Sequence, residues 1–360
     1  MTVFYTEEHP LHGGYTGDRA DLLDFSANIN PLGMPPAVRR AVTDAAADWE
    51  RYPDPAGRRL CGKLAEKTGI PAERIVVGNG ADDLIFRMVR AVSPKRAYLT
   101  APAFSEYEAA LRQNGCAVEF HVLDSSDLFD INRNFMSSIT DDVDVVFLCN
   151  PNNPTGRLTE EALLYEILSE CTRHHAMLVC DECFLPFAAD GACRSLLQVI
   201  REEKRDAQNL IVLRAFTKLY AMPGLRLGYC VCGSAQTARQ IRGSGPYWSV
   251  SAPALSAGEA ALGEKDYVNQ TVEYISCERA FLEDGLRSLH LKFIPSAANF
   301  ILLYCSLPLY ELLLEEGIVI RDCSDFRGLE KGWYRIAVRT HAENERLLAA
   351  LKGLLWHIPS

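Results

Sequence analysis

DVVFLCNPNNPTG, residues 144–156, opens on an apolar run and then turns abruptly polar. From Val145 to Cys149 apolar and polar residues do not alternate, so a strand here would be covered on both faces, as in parallel sheets. The Asn-Pro and Pro-Thr-Gly steps that follow end it in a loop. The same arrangement recurs along the chain. Apolar runs stand at RIVV (74–77), RAYLT (96–100), AMLVC (176–180), NLIVL (209–213) and LRLGYCV (225–231). Helical patterns lie between them. In Asp82–Val92, for example, Leu84, Ile85, Met88, Val89 and Val92 share one face. Strands alternating with helices predict an α/β domain with a largely parallel sheet.

The C-terminal third has a different texture. NFILLYC (299–305), GIVIRDC (317–323) and YRIAVR (334–339) read as strands separated by shorter helices. Thr340 with Glu343 makes a capping box for a last helix. We expect an arm with part of the small domain over 1–45, a large α/β domain over 46–252 and a small α+β domain over 253–360.

With 360 residues and 48% hydrophobic content the chain has ample core, and its formal net charge is -10. That balance argues against an electrostatic nucleic-acid or anionic-membrane partner. The sequence has no long apolar run of membrane-spanning length. The start, MTVFYTEEHPLHGG, is polar and unlike a secretory signal, so a cytoplasmic location is expected. The 12 cysteines are scattered and read as reduced, buried thiols. Cys180 and Cys183 have CxxC spacing without a second pair, and CTRHH (171–175) is equally isolated, so no metal is expected.

Several runs end in polar groups: Gly78-Asn79-Gly80-Ala81-Asp82, then Asn150 with Asn153, then Asp181, then Lys218. Open α/β sheets bind ligands beyond the carboxyl ends of their strands. Singly, these groups read as a turn, a loop, a helix cap and a solvated lysine. Taken together they match the needs of pyridoxal 5'-phosphate. An amine such as that of Lys218 forms a Schiff base with the aldehyde, and a carboxylate such as Asp181 keeps the pyridine nitrogen protonated. Asn153 offers an amide to the ring oxygen. The backbone of Gly80, Ala81 and Asp82, with Arg226 in RAFTKLYAMPGLRLG (214–228), suits the phosphate. Phe104 in APAFSEY is placed to cover the ring.

The set GNG…NPNNPTG…DE…K(x7)R resembles the fold type I pyridoxal-phosphate enzymes, the aspartate aminotransferase superfamily, from Asp24 to the final helix. The resemblance implies a mostly parallel seven-stranded sheet between helices, with a smaller α+β domain. It implies Lys218 as the Schiff-base lysine, Asp181 on the ring nitrogen, Asn153 on the ring oxygen, and Arg226 on the phosphate. Arg335 would bind the substrate carboxylate. It further implies a homodimer with its site at the subunit interface, Tyr52 of ERYPDP reaching the other copy's phosphate. Three residues before the lysine the family carries Ser or Thr; here Ala215 stands there, and Thr217 or a water would compensate.

Within the superfamily the chain resembles both histidinol-phosphate aminotransferases and threonine-phosphate decarboxylases of cobalamin synthesis. His12-Gly13-Gly14, the stretch DFSANINPLGMP (24–35) and Phe184 in DECF incline it toward the decarboxylases. HGG alone also reads as a flexible arm. The decarboxylases would take L-threonine O-3-phosphate to (R)-1-amino-2-propanol phosphate and CO₂. A phosphorylated amino acid would then be held by Arg335, Arg321 and His12, with Asn28, Asn153 and the Gly13 backbone. Arg339 shares a strand face with Arg335 and reads either as a second phosphate ligand or as a surface ion-pair residue. A non-catalytic regulator of the same fold is disfavoured, because Lys218, Asp181, Asn153 and Arg226 are all intact.

Overall fold

The computed structural model describes residues 12–14, 21–189, 191 and 194–356. Residues 1–11 and 15–20 of the expected 1–45 arm therefore lie outside the described residues. In chain order the elements are β1 (Leu23–Asp24), α1 (Pro36–Asp44), α2 (Arg58–Thr68), β2 (Ile75–Gly78), α3 (Gly80–Val92), β3 (Arg96–Ala101), α4 (Ser105–Gln113) and β4 (Ala117–Val122). There follow β5 (Val145–Cys149), α5 (Glu161–Arg173), β6 (Met177–Asp181), α6 (Leu197–Arg201), β7 (Leu210–Ala215), β8 (Gly228–Cys232), α7 (Ala235–Gly243), α8 (Ala252–Ala261) and α9 (Lys265–Ser288). The chain ends with β9 (Lys292–Ile294), β10 (Phe300–Tyr304), α10 (Leu309–Glu315), β11 (Ile318–Val319), β12 (Arg321–Asp322), β13 (Trp333–Ala337) and α11 (His341–Trp356).

The large sheet has seven strands in the order β2-β8-β7-β6-β5-β3-β4. Only β8 runs against its neighbours; β7, β6, β5, β3 and β4 pair in parallel. Side chains of one strand alternate between faces, and both faces are buried. Val146, Leu148, Leu178, Cys180, Leu210 and Val212 belong to one apolar cluster. Val145, Phe147, Cys149, Val179, Ile211 and Leu213 belong to another. This explains why the runs show no alternation in sequence.

A second sheet, β12-β13-β10-β9, is antiparallel, and β1 pairs in parallel with β11. The backbone N–H of Ala337 donates to the Phe25 carbonyl at 2.8 Å, so the segment after β1 lies against the small sheet. The structure corrects one expectation and adds a strand. GIVIRDC is not one strand: β11 and β12 belong to different sheets, with Ile320 between them. AVEFHV, unassigned from sequence, forms the edge strand β4, whose side chains are half-exposed or exposed, so no buried pattern marks it. One arm of the expected capping box is present. The Thr340 N–H and hydroxyl both donate to Glu343 Oε2, at 3.0 and 2.6 Å.

Neighbouring β6 and β7 bring Asp181 opposite Leu213, five residues before Lys218. Just beyond Asp181, Glu182 is fully buried and takes Arg214 Nη2 at 2.6 Å, the Ser195 hydroxyl at 2.7 Å and the Leu196 N–H at 2.8 Å. This ion pair ties the ends of the two strands to the 195–196 segment. Arg214→Ala strands a buried carboxylate, so it is expected to cost about 3–5 kcal/mol of stability, read from a denaturant titration. Arg58→Ala, which removes a solvent-exposed partner of Asp54, is expected to leave the midpoint unmoved.

Candidate active site

The carboxyl ends of the parallel strands carry the candidate groups. Asp181 ends β6 and is held from two sides. The Tyr107 hydroxyl donates to its Oδ2 at 2.6 Å, and the Cys183 backbone N–H donates to its Oδ1 at 2.9 Å. Burial pushes the Tyr107 phenol well above its ordinary range, and the Asp181 charge adds to this. Tyr107 therefore stays protonated and Asp181 remains the acceptor. Tyr107 stacks on Phe147 with 5.1 Å between centroids and meets Phe104 edge-on at 5.7 Å.

Lys218 lies in the turn after β7. Among the described residues its amine has no hydrogen-bond or ion-pair partner, while its charge is felt at the Cys183 thiol. The Lys218 carbonyl accepts from the Asn30 N–H at 3.1 Å. Asn30 is buried, and the two N–H groups of its amide are shared among the Leu219 carbonyl, the Tyr267 hydroxyl and the Thr271 hydroxyl, each 2.8 Å from Nδ2. Thus the N-terminal segment fixes the turn that presents the lysine. Sequence reading passed over Asn30 and Tyr107.

At the start of α3, Arg226 folds back over Gly80. The Arg226 Nη2 donates to Asp82 Oδ2 at 3.0 Å. Gly80 has φ +89°, and a Cβ there would sit 2.7 Å from that same nitrogen, so glycine is required. No side chain caps this helix at Asn79, so its first N–H groups are left for an anion, with the guanidinium beside them. The Thr217 hydroxyl is buried without a partner.

Asn153 and Arg335 meet across the two sheets. Arg335 Nη1 donates to Asn153 Oδ1, and Arg335 Nη2 donates to the Ser26 carbonyl at 3.0 Å. Its Nε is buried with no partner. The guanidinium lies over the Phe300 ring at 5.5 Å, and Phe184 meets Phe300 edge-on at 5.0 Å. Burial pushes Arg335 down to about 10, with Arg321 contributing in the same direction. It is still a cation at neutral pH, but among the described residues it has no ion-pair partner, and an anionic ligand would offset the cost of its burial. Arg321 sits directly across the strands from Arg335. Its Nη2 donates to Asp325 at 2.6 Å.

The HGG segment is seated beside this cluster. Gly14 N–H donates to the Ser26 hydroxyl at 2.9 Å. A Cβ on Gly13 would lie 2.2 Å from the Ser26 carbonyl oxygen, so the chain passes only as glycine. His12 lies 5.8 Å from Phe104, ring to ring. Asn28 is buried with an unpartnered Oδ1. A cavity of about 490 Å³ adjoins the site at Phe104 and Arg321, with Phe120, Phe326 and Arg327 on its far walls.

Some candidates stand elsewhere. Tyr52 is 80% exposed and stacks on Trp248 at 4.4 Å, away from this chain's own cluster. Arg339 is an ion-pair residue here, since its Nη2 donates to Glu343 at 2.6 Å. Cys180 and Cys183 are buried free thiols, pushed well above their ordinary range first by burial.

The residues present fit pyridoxal 5'-phosphate. An uncapped helix start with a guanidinium, the unpartnered Thr217 hydroxyl, a free amine and a buried carboxylate are its complementary set.

The sequence pattern of the family "Aminotransferase class I and II" matches residues 20–351. The chain is 39% identical, over 96% of its length and 96% of the relative's, to the threonine-phosphate decarboxylase of Salmonella typhimurium. In fold it is similar to the histidinol-phosphate aminotransferase of Clostridium acetobutylicum, with TM-score 0.86 and 30% identity over 94% of this chain and 100% of that one. It is likewise similar to the L-threonine-O-3-phosphate decarboxylase of Porphyromonas gingivalis, with TM-score 0.80 and 25% identity over 93% and 100%. Among the described residues no helix is long and apolar enough to cross a membrane.

Proposed function

Because the chain belongs to the aminotransferase class I and II family, we propose that it decarboxylates L-threonine O-3-phosphate to (R)-1-amino-2-propanol phosphate and CO₂, in the synthesis of cobalamin. The observation that carries this choice is the seating of His12-Gly13-Gly14 on Ser26, whose carbonyl also takes Arg335. The arm thereby becomes part of the substrate-gripping wall. The identity to a threonine-phosphate decarboxylase supports the same choice.

Pyridoxal 5'-phosphate, when bound, supplies an electron sink conjugated to the substrate amine, able to accept the pair left behind by a departing group. Asp181 would hold the ring nitrogen protonated, itself fixed by Tyr107 and the Cys183 N–H. Asn153, Phe104, Arg226 and the start of α3 would hold the ring and its phosphate, with Thr217 close by. Which substrate bond would break is set by how the chain orients the substrate, the bond aligned with the electron sink being favoured. Arg335, Arg321 and His12, with Asn28 and the Gly13 backbone, would grip the two anionic ends so that the carboxylate takes that position. With that bond broken and CO₂ released, Lys218 would be the group that returns a proton to the substrate's Cα.

The proposal includes a homodimer whose second copy covers the exposed aromatic patch of Trp49, Tyr52, Tyr247 and Trp248, with Tyr52 reaching the partner's cofactor phosphate. It also includes the division into 1–45, 46–252 and 253–360. The described cysteines are all free thiols, which fits the reducing cytoplasm. The test is to supply threonine phosphate without any oxo acid and measure CO₂ and aminopropanol phosphate. Equimolar release of both supports the proposal. Turnover of histidinol phosphate only with 2-oxoglutarate, and no CO₂ from threonine phosphate, sinks it.

A further inference from the structure

Glu106 stands in the first turn of α4, two residues after Phe104. By sequence it is an ordinary acidic residue compensating a helix dipole. In the structure it takes a different partner: His12 Nε2 donates to Glu106 Oε1 at 2.9 Å. Glu106 is the better shielded of the two, with 20% of its side chain exposed against 52% for His12. The His12 ring is therefore bound to the large domain, while the backbone two residues on is bound to Ser26 beside the small sheet. The arm spans from one to the other across Phe104.

The bond fixes more than position. A carboxylate can only accept, so Glu106 commits His12 Nε2 to carrying a proton, and Nδ1 is the nitrogen left for a ligand. Among the described residues Nδ1 has no partner. The neighbours that could compete for Glu106 are engaged elsewhere. Arg112 and Arg327 both bind Glu108, at 2.6 and 2.9 Å.

We infer that Glu106 is a positioning residue for substrate recognition, acting through His12: it turns the imidazole and, as its carboxylate partner, supports the doubly protonated ring, so that Nδ1–H donates to the substrate's anionic end. This rests on the decarboxylase reading above. It also adds a requirement, because His12 alone, on an arm of glycines, would lack a defined orientation.

The test uses the full-length holoenzyme. Glu106→Gln, Glu106→Asp, His12→Ala and the double variant Glu106→Gln/His12→Ala are compared for kcat and KM with threonine phosphate, and for the absorbance of the bound cofactor. Glu106→Gln is expected to raise KM about 10-fold, the worth of one charge-assisted hydrogen bond. Its kcat and cofactor absorbance stay near wild type. Glu106→Asp restores part of the loss. In the double variant Glu106→Gln adds nothing to His12→Ala, because the two act as one unit. Unchanged KM in Glu106→Gln, or effects that add in the double variant, overturns the role of Glu106 while leaving the decarboxylase reading intact. Loss of cofactor absorbance in both Glu106 variants assigns the residue to structure and overturns it too. If the wild-type enzyme releases no CO₂ from threonine phosphate, both readings fall together.

Discussion

Replacing Lys218 by alanine is expected to lower CO₂ release from threonine phosphate by about 10⁴-fold or more, combining the loss of a positioned proton donor with the loss of a covalent anchor. Lys218 is the amine in the cluster with no competing partner among the described residues, and the turn that carries it is pinned by Asn30. The effect should be chemical. The variant keeps its fold by circular dichroism, and the grip of Arg226 and α3 on the cofactor phosphate survives, so it still takes up pyridoxal 5'-phosphate. Borohydride, which fixes the cofactor to the wild-type chain as a stable mass increase, fixes none to the variant. A borohydride adduct on another lysine, or turnover within tenfold of wild type, would show that Lys218 is a solvated surface residue after all.

The second large effect is at Asp181. Asp181→Asn is expected to cut turnover by about 10²–10³-fold, the magnitude seen when one preorganised electrostatic contact is removed from a water-poor site. The asparagine keeps an oxygen for the Tyr107 hydroxyl and occupies the same space, so packing is nearly unchanged. What disappears is the negative charge, together with the acceptor for the Cys183 N–H. Asp181→Ala goes further, because it also leaves the buried Tyr107 hydroxyl without an acceptor, at about 1–3 kcal/mol of stability. If Asp181→Asn retained full turnover, the ring nitrogen would have to be served by another group. Comparing the two variants separates charge from packing, by kcat on one side and a denaturation midpoint on the other.

The sequence revealed most clearly what burial enforces. The central strands are covered on both faces, so their runs are continuous, and their polar ends stand out by contrast. β4 escaped because an edge strand has little buried face to impose a pattern. GIVIRDC was misread as one strand because its apolar residues are continuous, although the chain changes sheets at Ile320. The candidate site residues split in the same way. Lys218, Asp181, Asn153 and Arg226 are placed by strand ends and short turns, so local sequence finds them. Tyr107 reads as a core aromatic of an amphipathic helix, and only the fold shows its hydroxyl on Asp181. Asn30 reads as a turn residue before proline, yet it bonds to residues more than 180 positions away. Glu106 and His12 are 94 positions apart. Contacts at such separations carry no local signature.

The central claim is that the gripping groups present the substrate's carboxylate, rather than its Cα–H bond, to the electron sink. Running the reaction with threonine phosphate in D₂O, without an oxo acid, tests it directly by mass spectrometry and proton NMR. The account predicts aminopropanol phosphate carrying one deuterium at the carbon that held the carboxylate, formed in step with CO₂, and recovered substrate free of deuterium. Deuterium at Cα of the recovered threonine phosphate, with its carboxylate retained and no CO₂ formed, would contradict it.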